Sequence, residues 1–486
     1  MITKYKRHIL TILFFKLLII YLLPITGDEA YFIKWGQHLS MGYYDHPPMV
    51  GWLIYLMSFI NDSYITFRLF SFFSAIAIAF LIYKILLELK VDRDSSIFVG
   101  ILFLIMPIDI LISLFTNDIP LALFGTIGTY FFVKSFNSHS VKYSLLAGLF
   151  FGLSFLSKYF LVFLVSGLFI FALYQYKQKA IKNLLIITIT ILPFVIQNLY
   201  FNYNSCWNNI MFNFFARTKD LHYHLINVLT YILILLYLLT PWGVYFLIKS
   251  RTNFKKHTLT FILSASGIGL IVFLVVSLKA KIGLHWLLLL MPYLLMLFVF
   301  TADKYKEKLI KYNIYFTYLH ILILLVVLVM PITLLKEHKK YKDILLFTKT
   351  KEICKKIDKY DPLFTTGYTS ASILSYYCKK DISMILNNSK YGRLDDKLVN
   401  VKNLKNKTIY IFDKHKIDIN KLLEIFQNVE VIQVPFFNQI YYIAKCSNLK
   451  YEKYKKSYLD IQKERFYTIP SWLPKGECYF LDRYYK

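Results

Sequence analysis

Long apolar blocks separated by short polar turns fill the chain up to about residue 335. The blocks are roughly 17–25 residues long, which is enough to cross the hydrocarbon core of a bilayer. About eleven candidate spans follow from this pattern. They lie near residues 9–25, 65–87, 96–115, 119–136, 143–157, 159–176, 183–201, 225–248, 259–278, 284–301 and 314–335. The pattern predicts a polytopic α-helical membrane protein.

Beyond residue 336 the apolar runs shorten, and strand-like and helix-like segments follow one another. The strand-like runs are Leu363–Thr366, Ser383–Leu386, Thr408–Phe412 and Val429–Val434, and the helix-like ones are Ser370–Cys378 and Ile419–Phe426. We predict a transmembrane module at 1–335 with its first extracytoplasmic loop at 26–64, a small C-terminal α/β extracytoplasmic domain at 336–447, and a basic, Tyr-rich tail at 448–486. Neither a Walker loop nor a dinucleotide fingerprint occurs in this part of the sequence, so no nucleotide is assigned to it.

Composition supports the membrane class and limits the meaning of the charge. The chain is 57% hydrophobic and 18% charged, whereas soluble domains carry about 25% charged residues. The net charge of +28 comes mainly from lysines near span ends, which suits cytoplasmic loops and anionic lipid surfaces. We therefore expect membrane lipids as partners and no nucleic acid.

The short loops rich in lysine and arginine, including those at Lys90, Lys179, Arg251 and Lys308, fall on one side of the predicted topology. That side is cytoplasmic by the positive-inside rule. An odd number of spans then places the C-terminal part outside. All five cysteines fall on that outer side, where disulfides form, but the sequence does not assign their pairing.

The first outer loop gathers four ionisable residues among aromatic ones: Asp28, Glu29, Asp45 and His46. Charged groups this close to a bilayer are costly unless they have a partner or a function. Asp28 and Asp45 each precede a helix-like run, so helix capping is the structural alternative to chemistry. The two roles are compatible, and the spacing alone does not separate them.

Other outer-face residues also have structural alternatives. Asp118 stands where another helix cap is expected, Lys158 has the length to snorkel, and Arg217 suits a solvated loop. Trp207 and Trp286 fit an interfacial aromatic belt as well as a ligand platform.

The first outer loop resembles the first periplasmic loop of bacterial family 39-type (GT-C) membrane glycosyltransferases, in the stretch GDEAYFIKWGQHLSMGYYDHPPMVGWLI that begins at Gly27. These are relatives of protein O-mannosyltransferases, of the aminoarabinose transferase of lipid A, and of galacturonosyltransferases that use polyprenyl-phosphate sugars. The similarity continues, to about residue 300, through TNDIPLALF, FLSKYFLVF, FNYNSCWNNIMF and a weaker SLKAKIGLHW. Phe201 and Ser205 replace a usual Trp and a frequent His, and the common acidic residue near Trp286 is absent.

The resemblance implies a role for each matching residue. Asp28 matches the catalytic base, with Glu29 as its companion and Asp118 as a second acidic position. The cations available for a donor phosphate are Lys158, which matches the family lysine, Arg217 and Lys279. Expected substrate contacts come from Asp45, His46, Tyr159, Asn202, Trp207 and Trp286. The residue types at Asp28, Asp118 and His46 permit a divalent cation without specifying one.

These assignments imply an inverting glycosyltransferase in the bacterial cytoplasmic (inner) membrane, with its active site and C-terminal domain outside. The implied donor is a sugar on a polyprenyl phosphate, and the implied acceptor is a hydroxyl of a glycolipid, lipopolysaccharide or other surface glycan. Protein O-glycosylation is an alternative. A lipid-linked oligosaccharide flippase or polymerase is another, and it requires ionisable residues within the spans, where Asp109 is the chief example.

Overall fold

The structure is a computed structural model of the 486-residue chain and describes residues 2–217, 223–250 and 255–486. Arg251, one of the loop residues behind the predicted orientation, lies outside the described residues. Up to residue 329 the α-helices are α1 (Ile2–Leu22), α2 (Gly27–Gln37), α3 (Met49–Ser58), α4 (Tyr64–Glu88), α5 (Arg93–Ile105), α6 (Ile108–Leu111), α7 (Asp118–Ser138), α8 (Val141–Phe155), α9 (Leu161–Tyr176), α10 (Ile181–Tyr203), α11 (Asn208–Ile210), α12 (Leu225–Leu239), α13 (Pro241–Ser250), α14 (Lys256–Ser277), α15 (Met291–Leu295) and α16 (Asp303–Val329). Beyond it they are α17 (Tyr341–Thr348), α18 (Thr350–Ile357), α19 (Tyr368–Cys378), α20 (Leu394–Leu398), α21 (Ile419–Ile425), α22 (Tyr451–Tyr454), α23 (Asp460–Gln462) and α24 (Tyr479–Tyr485).

The chain forms two compact units, each built from several separate segments. The helical unit comprises Met1–Leu23, Ile60–Asn198 and Leu221–Val329, and the mixed unit comprises Pro24–Phe59, Leu199–Asp220 and Met330–Lys486. Pro24–Phe59, which includes most of the first outer loop, lies in the same unit as the C-terminal residues. The predicted domain limits stay a prediction.

Five helical stretches in the described residues are long and apolar enough to cross a membrane, or seven if each of two bent helix pairs is one span. They are Tyr64–Glu88, Asp118–Ser138, Leu161–Tyr203, Lys256–Ser277 and Asp303–Val329. Several of the eleven predicted spans are shorter or broken. The segment predicted at 96–115 is divided between α5 and α6, because Pro107 lies at the junction and lacks the backbone N–H that a continuous helix needs.

Close helix contacts in the helical unit depend on small residues. A Cβ on Gly167 of α9 would lie 1.8 Å from the backbone carbonyl oxygen of Ser264 in α14. Small residues let helix backbones approach in membranes, where van der Waals packing contributes much of the association. Any larger side chain at Gly167 would force these two helices apart.

The mixed unit contains one five-stranded sheet in the order β2-β1-β3-β5-β4. Its strands are β1 (Leu363–Thr365), β2 (Ser383–Met384), β3 (Ile409–Asp413), β4 (Phe426–Phe436) and β5 (Gln439–Leu449). β1 pairs in parallel with β2 and β3, and the hairpin β4–β5 adds antiparallel strands. The sheet buries aliphatic and aromatic side chains against α18, α19 and the tail, as the predicted α/β domain requires.

The predicted tail is folded, and a disulfide ties it to an earlier segment of the mixed unit. Tyr467 and Phe480 are fully buried and stacked, with ring centroids 4.0 Å apart. Cys206 pairs with Cys478, and Cys354 pairs with Cys378, while Cys446 is the unpaired cysteine among the described residues. The first disulfide joins residues 272 positions apart in the chain, a pairing that no local pattern specifies.

Candidate active site

Helix α2 begins with a capping box formed by Thr26 and Glu29. The Thr26 hydroxyl accepts a hydrogen bond from the Glu29 backbone N–H at 3.3 Å, and a Glu29 carboxylate oxygen accepts one from the Thr26 backbone N–H at 3.1 Å. Thr26 is therefore the N-cap, and the alternative that Asp28 caps this helix is wrong. Glu29 has this structural role, and its catalytic role stays a prediction.

Asp28 occupies the second position of α2, where its side chain is exposed. Its Oδ1 atom accepts a hydrogen bond from the Tyr368 hydroxyl at 3.1 Å. Burial raises the pKa of Tyr368, so this phenol stays neutral and remains a donor at ordinary pH. Asp28 is consequently a solvent-accessible carboxylate held by one fixed donor.

Tyr368 reaches Asp28 because α2 packs closely against the start of α19. A Cβ on Gly27 would lie 2.5 Å from the Thr369 methyl carbon, so only glycine permits this approach. The Tyr31 ring also packs edge-on against the Tyr368 ring, with centroids 5.5 Å apart. Gly27 thus allows α2 to pack on α19, and its neighbour Asp28 supplies the exposed carboxylate.

Asp45 is buried, and its environment differs from that of Asp28. Burial raises the pKa of Asp45 to about 7 against the opposing hydrogen bond that Tyr31 donates at 3.3 Å. The charge of Asp28 raises it further, and that of Arg217 lowers it. Pro48, not Asp45, is the residue before α3, so the capping alternative for Asp45 is also wrong. Raised pKa values of this kind occur often among the groups of functional sites.

His46 and Arg217 both contact the ring of Phe212. The His46 ring packs edge-on at 6.3 Å between centroids, and the Arg217 guanidinium lies 5.3 Å from the centroid. Together with the electrostatic coupling of Asp45 to Arg217, these contacts group three predicted site residues within the mixed unit.

Asn202 and Trp207 have contacts that stabilise their own segment. The Asn202 carboxamide oxygen accepts the Asn209 backbone N–H at 3.0 Å, and the buried Trp207 donates its indole N–H to the Pro474 carbonyl at 2.9 Å. These bonds order the chain around the Cys206–Cys478 disulfide. Substrate binding by Asn202 and Trp207 stays a prediction.

The helical unit brings together two other predicted residues, Asp118 and Lys158. The Lys158 Nζ atom lies 2.8 Å from Asp118 Oδ1, and the side chains are only 7% and 2% exposed. Asp118 is the first residue of α7, and Asn117 precedes it without any side-chain capping bond. The capping and snorkelling alternatives are therefore both wrong, since the two groups form a buried ion pair.

The remaining predicted residues of the helical unit contact aromatic or amide groups. Tyr159 donates its hydroxyl to the Asn198 carboxamide oxygen at 2.7 Å. Lys279 places Nζ 4.7 Å from the centroid of the Tyr223 ring. Trp286 packs on Phe160 and Phe273, with centroids 5.4 and 6.0 Å away.

The predicted metal set divides between the units, with Asp28 and His46 in the mixed unit and Asp118 in the helical one. Over the part of the chain that the structure describes, no group of three or more His, Cys, Asp or Glu side chains could hold a metal ion. The divalent cation stays a prediction without structural support.

Sequence reasoning missed the residues that anchor α2. Lys34 is buried, and its Nζ atom lies 2.8 Å from an Asp395 carboxylate oxygen and 3.0 Å from the Ser383 hydroxyl. The one available signal was a lysine within a largely apolar helix. Asp395, the partner of Lys34, and Tyr368, the donor to Asp28, each lie more than 330 residues away from α2 in the chain. No local sequence pattern therefore points to them.

The chain is similar to known proteins in both sequence and fold. Residues 45–201 match the family model described as dolichyl-phosphate-mannose-protein mannosyltransferase. The lipid A galacturonosyltransferase RgtD of Rhizobium johnstonii is 32% identical over 143 residues, which are 29% of this chain and 30% of that protein. The match therefore spans about a third of the length of this curated relative.

The fold is similar to that of ArnT from Cupriavidus metallidurans. The crystal structure bound to undecaprenyl phosphate and the apo structure each align with a TM-score of 0.62, at 11% and 12% identity. Each alignment covers 91% of this chain and 98% of ArnT. The predicted fold class is confirmed, because the chain shares the fold of this membrane protein over most of its length.

Proposed function

We propose that the protein transfers a sugar from a polyprenyl-phosphate donor to a hydroxyl group of a glycolipid, lipopolysaccharide or other surface glycan at the outer face of the membrane. The observation that carries the proposal is Asp28, an exposed carboxylate that does not cap its helix and that Tyr368 orients. The similarity to ArnT, whose crystal structure is bound to undecaprenyl phosphate, and to the lipid A galacturonosyltransferase RgtD supports the donor and acceptor classes.

In the proposed reaction the acceptor hydroxyl attacks the anomeric carbon from the side opposite the phosphate. Its oxygen forms the new glycosidic bond while its proton passes to Asp28. The bond between the anomeric carbon and the phosphate oxygen breaks, and the lipid phosphate leaves with the bonding electrons. This displacement inverts the anomeric configuration.

The leaving phosphate requires neutralisation of charge more than a proton. Lys158 is the assigned cation, and Asp118 holds its ammonium group in one position. Arg217 and Lys279 are assigned secondary phosphate contacts. Asp45, with its pKa near 7, and His46 are assigned to the substrate.

The direct test supplies purified protein with radiolabelled polyprenyl-phosphate sugars and lipid A or another surface glycolipid. We expect label to appear in the acceptor through a new glycosidic bond of inverted configuration. Movement of the labelled lipid across vesicles without bond formation would instead establish the flippase alternative. The ionisable residue that this alternative requires, Asp109, lies 2.9 Å from Lys16 Nζ in a buried ion pair, which accounts for its presence within the helices.

Replacing Tyr368 with phenylalanine tests how Asp28 is held. Tyr368→Phe keeps the ring and its packing but removes the hydroxyl that donates to the carboxylate. A hydrogen bond to a charged group typically contributes about 1.5–3 kcal/mol, so we expect kcat to fall roughly tenfold or more with normal protein levels. Tyr391→Phe, a change of an exposed tyrosine nearby, is the matched control. An unchanged kcat in Tyr368→Phe would remove Tyr368 from the mechanism.

The outer location of the mixed unit is a separate prediction. Both disulfides lie in this unit, which agrees with an oxidising compartment outside the cytoplasm. We expect an alkaline phosphatase fusion after residue 340 to be active and one at Lys90 to be inactive. The reverse pattern would contradict both the orientation and the outer-face assignment.

A further inference from the structure

The tail contacts the segment that follows α10 and is joined to it covalently. We call residues 474–478 the C-terminal strap, and the disulfide between Cys478 and Cys206 links it to that segment. The strap also approaches the end of α10 closely, since a Cβ on Gly476 would lie 2.0 Å from the Tyr203 carbonyl oxygen. The strap and the segment belong to the same compact unit.

The strap holds two residues in an unfavourable backbone conformation. Cys206 and Trp207 have φ angles of 56° and 54°, in the left-handed region that residues other than glycine adopt at a cost in free energy. The Cys206 backbone N–H donates to the Glu477 carbonyl at 2.9 Å. The Trp207 indole N–H donates to the Pro474 carbonyl at 2.9 Å. A conformation of this kind persists only where surrounding contacts determine it, and here the disulfide and both hydrogen bonds come from the strap.

The chain continues from this turn into α11, which supports the first outer loop. Asn209 is fully buried, and its carboxamide N–H groups donate to the backbone carbonyls of Tyr43 and Tyr44. Asn213, one helical turn later, donates to the Asp45 carbonyl at 3.3 Å and to the Asn209 carbonyl at 2.9 Å. Two carboxamides thus hold three successive carbonyls of the loop.

Helix α2 also contacts this loop, and its shortest hydrogen bond there is to Tyr43. The Tyr43 ring stacks on Trp35 with centroids 4.4 Å apart, and its hydroxyl donates to the Trp35 carbonyl at 2.7 Å. Asp45 accepts a longer hydrogen bond from α2, at 3.3 Å from the Tyr31 hydroxyl. The positions of the residues after Tyr43 therefore depend more on the two carboxamides than the position of Tyr43 does.

We propose that the C-terminal strap, locked by its disulfide, positions Asp45 and His46 for the substrate. Asn209 and Asn213 are the positioning residues through which it acts, because each donates to the backbone of the loop. The substrate contacts of Asp45 and His46 rest on the proposed function, whereas the dependence of the loop on the strap does not.

Hydrogen–deuterium exchange of the purified full-length protein in detergent measures that dependence directly. In Cys206→Ser/Cys478→Ser we expect the backbone amides of residues 44–46 to exchange about tenfold faster, because the contacts that hold the loop open more readily. Cys354→Ser/Cys378→Ser removes the other disulfide of the same unit and is the matched control. It should leave exchange at residues 44–46 unchanged.

Asn213→Ala tests the same coupling with both disulfides intact. Asn213 is half-buried, and alanine removes its hydrogen bond to the Asp45 carbonyl. We expect exchange at residues 44–46 to rise roughly three- to tenfold, as the loss of about one hydrogen bond predicts. Asn388→Ala is the matched control, because Asn388 is also half-buried in this unit and donates to the Ser457 carbonyl at 3.1 Å. This control should exchange as the unaltered protein does.

Steady-state kinetics distinguish positioning from a loss of folded protein. If the strap positions substrate-binding groups, Asn213→Ala raises the KM for donor or acceptor about tenfold and leaves kcat nearly unchanged, because binding shared by the ground and transition states is lost. A lower kcat at unchanged KM would indicate only a smaller amount of active protein and would overturn the positioning role.

Equal exchange of residues 44–46 in the unaltered protein, Cys206→Ser/Cys478→Ser and Asn213→Ala would overturn the proposal. So would an equal rise throughout α2, since that result would indicate general loosening of the unit. If the strap disulfide variant does not fold, exchange in Asn213→Ala decides. If exchange changes as expected but the unaltered protein transfers no sugar, the proposed function fails and the coupling of the strap to the loop stands.

Discussion

Asp28→Asn is expected to insert and accumulate normally yet to transfer sugar about 10²–10⁴-fold more slowly, the usual cost of losing a positioned base. The amide retains an oxygen that can accept the Tyr368 hydrogen bond, but it cannot take the acceptor's proton. The structural cost is small, because Thr26 caps the helix and the lost charge near its N-terminus contributes only about 0.3–1 kcal/mol. The measurement is transfer per mole of folded, purified protein.

Glu29→Gln is the matched control in the same helical turn. Glutamine serves at this position of a capping box as glutamate does, so the helix start is preserved. If Glu29 is structural, this variant transfers sugar normally. If it is a catalytic companion of Asp28, transfer falls without loss of folded protein. Near-normal transfer by Asp28→Asn would refute the proposed base and leave the fold assignment intact.

The class of the fold could be predicted from the sequence because apolar length and short alternating runs are local properties. β1 and β3 begin or end within one residue of their predicted limits, and α19 ends where predicted. β5 (Gln439–Leu449) was missed because its lysine, cysteine and serine interrupt the apolar pattern, and pairing along β4 stabilises it instead. The span count was harder to predict, since hydropathy does not show where a helix breaks, as at Pro107.

Sequence reasoning named the candidate residues but not the contacts that hold them. The motif resemblance identified Asp28 and Asp118, but residue spacing suggested helix caps at both positions, and neither is one. The capping alternative failed because Thr26 and Asn117, one or two residues earlier, occupy those positions. Tyr368, the donor to Asp28, lies 340 residues away, and only the folded chain brings it close.

Removing both charges of the buried ion pair between Asp118 and Lys158 is also expected to lower the rate of sugar transfer strongly. Removing one partner strands a buried charge, which typically costs about 3–5 kcal/mol, so single substitutions confuse loss of folding with loss of chemistry. The double variant Lys158→Met/Asp118→Asn removes both charges and is expected to fold. We expect its transfer rate to fall about 10²–10³-fold, the usual effect of losing one stabilising group at a developing anion.

The chain offers a matched control in the ion pair of Lys16 and Asp109, whose atoms are 2.9 Å apart and whose side chains are at most 1% exposed. Lys16→Met/Asp109→Asn removes the same charges from the same unit at residues with no role in the proposed transfer. If Lys158 neutralises the leaving phosphate, the Lys158 double variant loses transfer while the Lys16 double variant retains it, at equal amounts of folded protein. Equal transfer by both would show that the Lys158 pair only stabilises the helical unit. Lys158→Arg, which keeps the charge but spreads it over a planar group, should retain partial activity under the first outcome.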